Sequence, residues 1–227
     1  MGQTAISHSE VMPVRVAWGV TMPKVIALMF VALFVGAIAF RASRPSPASA
    51  ATVNPASRAQ FTSDGKLVRP EGYRRWVYIS SGFGMSYNPD AGGNGAPAFT
   101  NVFVAPEAYD FFLANGTWPD KTMFVLEIYG STSRGSINQK GSYQESFVGL
   151  DVEIKDESRF PVKWAYFNFD GSAKSASAIT PGKNGCWNCH DQHAAVEHSF
   201  VQFYPELLKV ARKKGTIKPT VRLEENK

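Results

Sequence analysis

The chain has 227 residues, 44% of them hydrophobic and 19% charged, with a formal net charge of +5 and a pI near 9.2. That length accommodates one sizeable domain plus a short extra segment, and the composition excludes a chain disordered throughout. No basic cluster supports a nucleic-acid interface, because the one locally basic run, Lys209–Lys214, reads as the charged end of a helix.

The N-terminal part stands apart. Lys24 precedes sixteen uncharged residues, Val25–Phe40, and the small-residue pattern Ala48–Ser49–Ala50 follows. Basic flank, apolar run and A-x-A pattern predict a secretory signal over residues 1–50, with an uncleaved membrane anchor as the alternative. Cleavage after Ala50 removes Arg15, Lys24, Arg41 and Arg44 together with Glu10, which takes the net charge from +5 to +2. Residues 41–60 are rich in Ala, Ser, Pro and Arg and lack apolar periodicity; the linker is expected over 51–68 and the domain over 69–227.

In chain order, aromatic and β-branched residues within Arg69–Ser80 predict a first strand, and Ser86–Phe99 is a Gly/Pro/Asn loop. Asn101–Ala105 is a short strand. A helix then opens on Pro106 and Glu107 and stops at Asn115–Gly116. Lys121–Gly130, Ser142–Glu157 and Val162–Gly171 predict three more strands, and the connection from Gly130 to Gly141 is too short for a helical crossover. From Asp191 the pattern turns helical, with a last helix from Pro205 to Gly215. The expected class is α+β: mainly antiparallel sheet, a few flanking helices, and a C-terminal segment that carries the chemistry.

That segment contains both cysteines of the chain, in C-W-N-C-H at 186–190. A C-x-x-C-H sequence is an attachment site for c-type haem. Cys186 and Cys189 would each add to one vinyl group, and His190 would be held beneath the iron as the proximal ligand. Three other readings compete. A redox dithiol calls for a βαβ context that antiparallel strands do not supply. A zinc site needs four ligands, and His193 and His198 follow too closely to complete one. A plain disulfide would close a very small loop and leave His190 without a role. Haem c, one per chain, is the cofactor expected from motif and export signal together. Neither His193 and His198, read as polar positions on a following helix, nor Met85 and Met123 stands in an obvious sixth-ligand position. An open iron position follows, with an electron carrier as the alternative.

Several segments together resemble the cytochrome P460 family: EGYRRWVYI, NVFVAPEAYDFFLANGTWPD, SFVGLDVEIKDESRFPVKWAYFNF and CWNCHDQHAAVEHSFVQFYPEL, spanning about Glu71 to Leu208. The resemblance implies a periplasmic monohaem protein, often a homodimer, that hands electrons to a redox partner protein. Members of this kind oxidise hydroxylamine, with nitric oxide as substrate or ligand, and the related cytochromes c′-beta bind such gases without that oxidation. It also implies a lysine cross-linked to the porphyrin edge on the strand after the W-P-D turn. Here DKTMFVLEIYG puts Leu126 at the expected place and Glu127 after it, and Lys121 is the nearest lysine. The carboxylate base implied near the distal pocket has no candidate between Ser172 and Gly185, which leaves Glu127 or Glu145. Phe83, Phe103, Phe111, Phe112 and Arg134 are the expected distal residues. A Leu at 126 gives a more apolar distal side, closer to the gas-binding branch.

Overall fold

The computed structural model describes residues 57–86, 97–182 and 185–223. The expected signal or anchor at 1–50 and most of the glycine-rich loop at 86–99 lie outside the described residues. Among those described, no helix is long and apolar enough to cross a membrane.

Five strands form one antiparallel meander in chain order: β2 (Val77–Phe83), β3 (Phe99–Val104), β4 (Met123–Thr132), β5 (Tyr143–Lys155) and β6 (Trp164–Asp170). A two-stranded ladder pairs β1 (Leu67–Val68) with β7 (Ser175–Ala176). The helices are α1 (Pro106–Asn115), inserted between β3 and β4, then α2 (Cys186–His193) and α3 (Pro205–Lys214). The expected α+β class with mainly antiparallel sheet is therefore the observed one.

Local signals explain most boundaries. Helix α1 has Pro106 in its first turn and ends on Gly116 at φ 76°, whose N–H donates to the Phe112 carbonyl. Such a left-handed cap suits glycine because it has no Cβ to clash. Helix α3 closes the same way on Gly215, at φ 68°. The end of the expected linker belongs to the domain: Leu67 is fully buried, and Phe61 packs on Phe160 and Phe167. Apolar residues spaced along a polar stretch carried that segment into the core.

Register sorts the sheet into two faces. Leu126 pairs with Val102 and Asp151, and Asp151 in turn with Asn168, so these four share one face. Met123, Val125 and Glu127 project from the other. That second face holds Glu127, only 3% exposed, which accepts from the Tyr73 hydroxyl at 2.7 Å and from Arg74 Nε at 2.7 Å. A carboxylate this deep is retained because two donors meet it.

The chain after α2 departs from the helical expectation. Helix α2 begins at the first cysteine and stops at His193, after which Ala194 is extended (ψ 134°). Glu197 sits at φ 51°, and Val196 and Ser199 pair across the resulting turn. His198 is thus on a tight turn. Two contacts hold that turn. Trp118 Nε1, from the connection between α1 and β4, donates to Ser199 Oγ at 2.6 Å. Buried Lys155 at the end of β5 donates to Glu197 at 3.1 Å, while its bond to the Trp118 carbonyl at 2.7 Å ties the two together.

Candidate functional site

Helix α2 sets the geometry of the motif. Residues three and four apart lie on one helical face, so Cys186 is one turn from both Cys189 and His190. The helix starts after Gly185 at φ 75°, a backbone state that a residue with a Cβ rarely adopts. Both thiols are free and half-buried. Burial pushes both above the ordinary thiol range, with Asp151 adding to the effect at Cys186. Redox dithiols rely on the opposite shift, toward a stabilised thiolate.

Cys186 and His190 line a cavity of about 590 Å³ between α2 and the sheet. Its sheet wall is the first face: Val102 and Thr100 from β3, Phe124, Leu126 and Ile128 from β4, Asp151 and Glu153 from β5, Tyr166 and Asn168 from β6. Phe200 and Tyr204 close it from the C-terminal segment. The wall is apolar across β4 and acidic across β5.

His190 is held on several sides. Its ring lies 4.5 Å from that of Tyr166 and 4.4 Å from that of Phe200, centroid to centroid. Nδ1 stands 2.6 Å from the His198 carbonyl, which can only accept, so the Nδ1 proton points there and Nε2 carries the free lone pair. The turn anchored by Trp118 and Lys155 is what puts that carbonyl in place. Burial opposes a charged imidazole, but Glu153 and the carbonyl outweigh it and lift His190 above the ordinary histidine range. His198 moves the other way: burial drops it to about 4, so it is neutral at neutral pH.

A covalently held haem fits these residues. The cavity is within the size range of cofactor sites. The imidazole presents the tautomer that metal-ligating histidines adopt, with its other nitrogen engaged by a carbonyl. Trp187 Nε1, inside the motif, is the one buried side-chain polar atom without a partner among the described residues.

The other residues expected from sequence are placed elsewhere. Lys121 faces a separate cavity of about 550 Å³, and its Nζ bonds Asp156 and, at 2.7 Å, Ser158. Glu127 is on the opposite face of the sheet, and Glu145 is exposed near the start of β5. Phe83 stacks on Phe99, Phe103 packs on Tyr73 and Tyr78, Phe111 lines the Lys121 cavity, and Phe112 is core against Trp118. Arg134 is exposed in the β4–β5 loop, and His193 lines a different, larger cavity. Leu126 does line the haem cavity, and so does Met85.

Two residues that sequence reasoning missed are Asp151 and Glu153. Asp151 Oδ1 accepts from Asn168 Nδ2 at 2.6 Å; burial raises its carboxyl above the usual range despite that bond, with Asp170 adding to the rise. The signal was present in L-D-V-E-I-K, an apolar/polar alternation over residues 150–155. Such alternation ordinarily marks a solvent-facing side, and here the polar side faces the cavity.

A family model described as Cytochrome P460 matches residues 70–201, more than half of the chain. No curated protein matches.

Proposed function

The chain belongs to the cytochrome P460 family of covalently bound haem c proteins, and from that premise we propose that it is an exported monohaem cytochrome that binds or oxidises small nitrogen species. Cys186 and Cys189 carry the haem, and His190 Nε2 is the proximal ligand. When bound, haem supplies a redox-active iron with an exchangeable position for nitric oxide or hydroxylamine.

One observation carries the reading. The cavity in front of His190 is walled by Val102, Phe124, Leu126 and Ile128, and none of its described residues is a second histidine, a lysine or an arginine. The apolar lining across β4 suits a small neutral guest, and the polar groups on β5 and β6 can orient it. For hydroxylamine, the chain must also take protons from the guest, and Asp151 is the cavity carboxylate suited to that. It is held at one oxygen by Asn168, and burial raises its proton affinity toward neutrality. Export and a periplasmic location rest on the family and the N-terminal signal pattern, a homodimer and a redox partner protein on the family resemblance.

A second reading has its own observation. Met85 lines the same cavity; its thioether on the iron would close the sixth position and make the protein an electron carrier. A visible spectrum of the holoprotein with added nitric oxide and, separately, hydroxylamine distinguishes the two. The ligand-binding reading expects a shifted haem band in the wild type. A spectrum that neither ligand moves, and that responds only after Met85→Leu, would establish the carrier.

A further inference from the structure

On the Nδ1 side of His190 stands a cluster that covalent attachment does not require. Glu153 Oε1 is 3.5 Å from His190 Nδ1, and the Tyr166 hydroxyl is 3.1 Å from the same oxygen. That hydroxyl also lies 3.2 Å from His198 Nδ1, while His198 Nε2 faces Asp191 at 3.7 Å. A carboxylate only accepts, so the phenol donates to Glu153, and the His198 Nδ1 proton is then directed at the phenol oxygen. The Nδ1 proton of His190 belongs to the His198 carbonyl, the partner at 2.6 Å. Glu153 therefore acts beside the imidazole as a charge.

Lys218 acts on His190 in the opposite sense, but Glu153 is the stronger influence and Lys218 forms no ion pair with it. Among the ion pairs of the described residues, Glu153 has no lysine or arginine, and the His190 imidazole is its one partner. The glutamate on the opposite face, Glu127, is met instead by the Arg74 guanidinium. Glu153 is also oriented: its side chain is 11% exposed, and the Tyr166 ring that donates to it packs directly on His190. Negative charge next to the back of a metal-bound imidazole strengthens its donation to the metal and favours the higher oxidation state. With the Glu153 side chain this little exposed, that effect is weakly screened.

We propose that Glu153, oriented by Tyr166, is a positioning residue that acts through His190 to hold the haem iron toward its ferric state. The proposal rests on the reading of His190 as the proximal ligand, and it adds a specific control on the potential at which this cytochrome exchanges electrons.

The test uses the purified holoprotein and two readouts: a redox titration followed by the haem band, and the iron–histidine stretch of the ferrous form by resonance Raman. Glu153→Gln keeps the shape and removes the charge. It is expected to shift the ferric-to-ferrous ratio at fixed potential about tenfold toward ferrous, a rise of about 59 mV for one electron, and to lower the stretching frequency. Glu153→Asp keeps the charge and is expected to stay near the wild type. Glu127→Gln, on the other face, is expected to change neither readout. If Glu153→Gln does not accumulate, Glu153→Met is the second neutral variant, with the same expectation. An unchanged potential in a neutral variant that keeps its iron–histidine stretch would overturn the proposal. So would an Asp variant that shifts as far as the Gln variant, since packing would then be the cause. A stretch that survives His190→Gly, or one that is missing from both the wild type and Met85→Leu, would overturn the axial-ligand reading instead.

Discussion

The two faces of the sheet each bury a glutamate beside a tyrosine, and the pairs differ in what completes them. On one face Glu127 accepts from Tyr73 and Arg74, so a phenol and a guanidinium both meet the carboxylate. On the other, Glu153 accepts from Tyr166 and borders His190, and Asp151 stands two residues earlier, hydrogen-bonded among the described residues to Asn168. A buried carboxylate matched by a guanidinium serves the fold. One matched by an amide or an imidazole keeps charge and proton affinity available to whatever occupies the cavity. Residue type is the same on both faces, and the partner decides the role.

The comparison can be broken at each carboxylate. The largest effect is expected at Asp151. If hydroxylamine loses its protons there, Asp151→Asn lowers hydroxylamine-dependent reduction by about a hundredfold, within the usual span for a general base, while covalent haem content stays at the wild-type level. The sign with pH follows from the direction of the shift: the wild-type rate rises as pH climbs through the raised Asp151 value, and the variant loses that rise. A variant as fast as the wild type would remove Asp151 from the chemistry. The next effect belongs to the other face. Glu127→Ala strands the buried Tyr73 hydroxyl and is expected to cost about 2 kcal/mol in a denaturation experiment. Ligand-induced changes in the haem spectrum should be untouched. A displaced spectrum would mean that the two faces are coupled.

How much of this was legible beforehand differed by element. The antiparallel pairing was, because the Gly-rich connection from Gly130 to Gly141 is too short for a helical crossover. The termini of α1 and α3 were, because Pro and Gly mark them chemically. The facing of β4 was not. MFVLEIY is apolar at nearly every position, so its alternation has no visible phase, and Glu127 looked as available to the cavity as Leu126. The pairing of Leu126 with Asp151 settles the phase, and a pairing is a long-range fact. The phenylalanines show the same limit: Phe83, Phe103, Phe111 and Phe112 are aromatic in the right neighbourhood of sequence, yet Phe124 and Phe200 line the cavity. The turn at 194–199 was hidden for another reason. It is set by Glu197 in a left-handed conformation, held there by Lys155 from the end of β5, and nothing local announces it.

The smallest expected effect concerns Lys121, the nearest lysine to the strand position where the family resemblance implies a cross-link. Its Nζ is committed to Asp156 and Ser158, in a cavity lined by Phe111 and Arg159 rather than by Cys186. Intact mass of the holoprotein and a map of its haem peptides should therefore show attachment at Cys186 and Cys189 alone. Lys121→Met should leave that mass pattern unchanged apart from the substitution. Its stability cost should stay below about 1 kcal/mol, because the lysine is half exposed and solvent screens the pair. Burial alone would raise the Asp156 carboxyl, but its bonds from Lys121 and Ser158 outweigh that and hold it below the usual range. A depressed carboxyl contributes stability above its ordinary value and loses it as pH falls through the lowered one. The gap between wild type and Lys121→Met should accordingly be present at neutral pH and close on acidification. A gap that widened in acid would contradict the ion pair, and a haem peptide containing Lys121 would move this residue from the fold to the site.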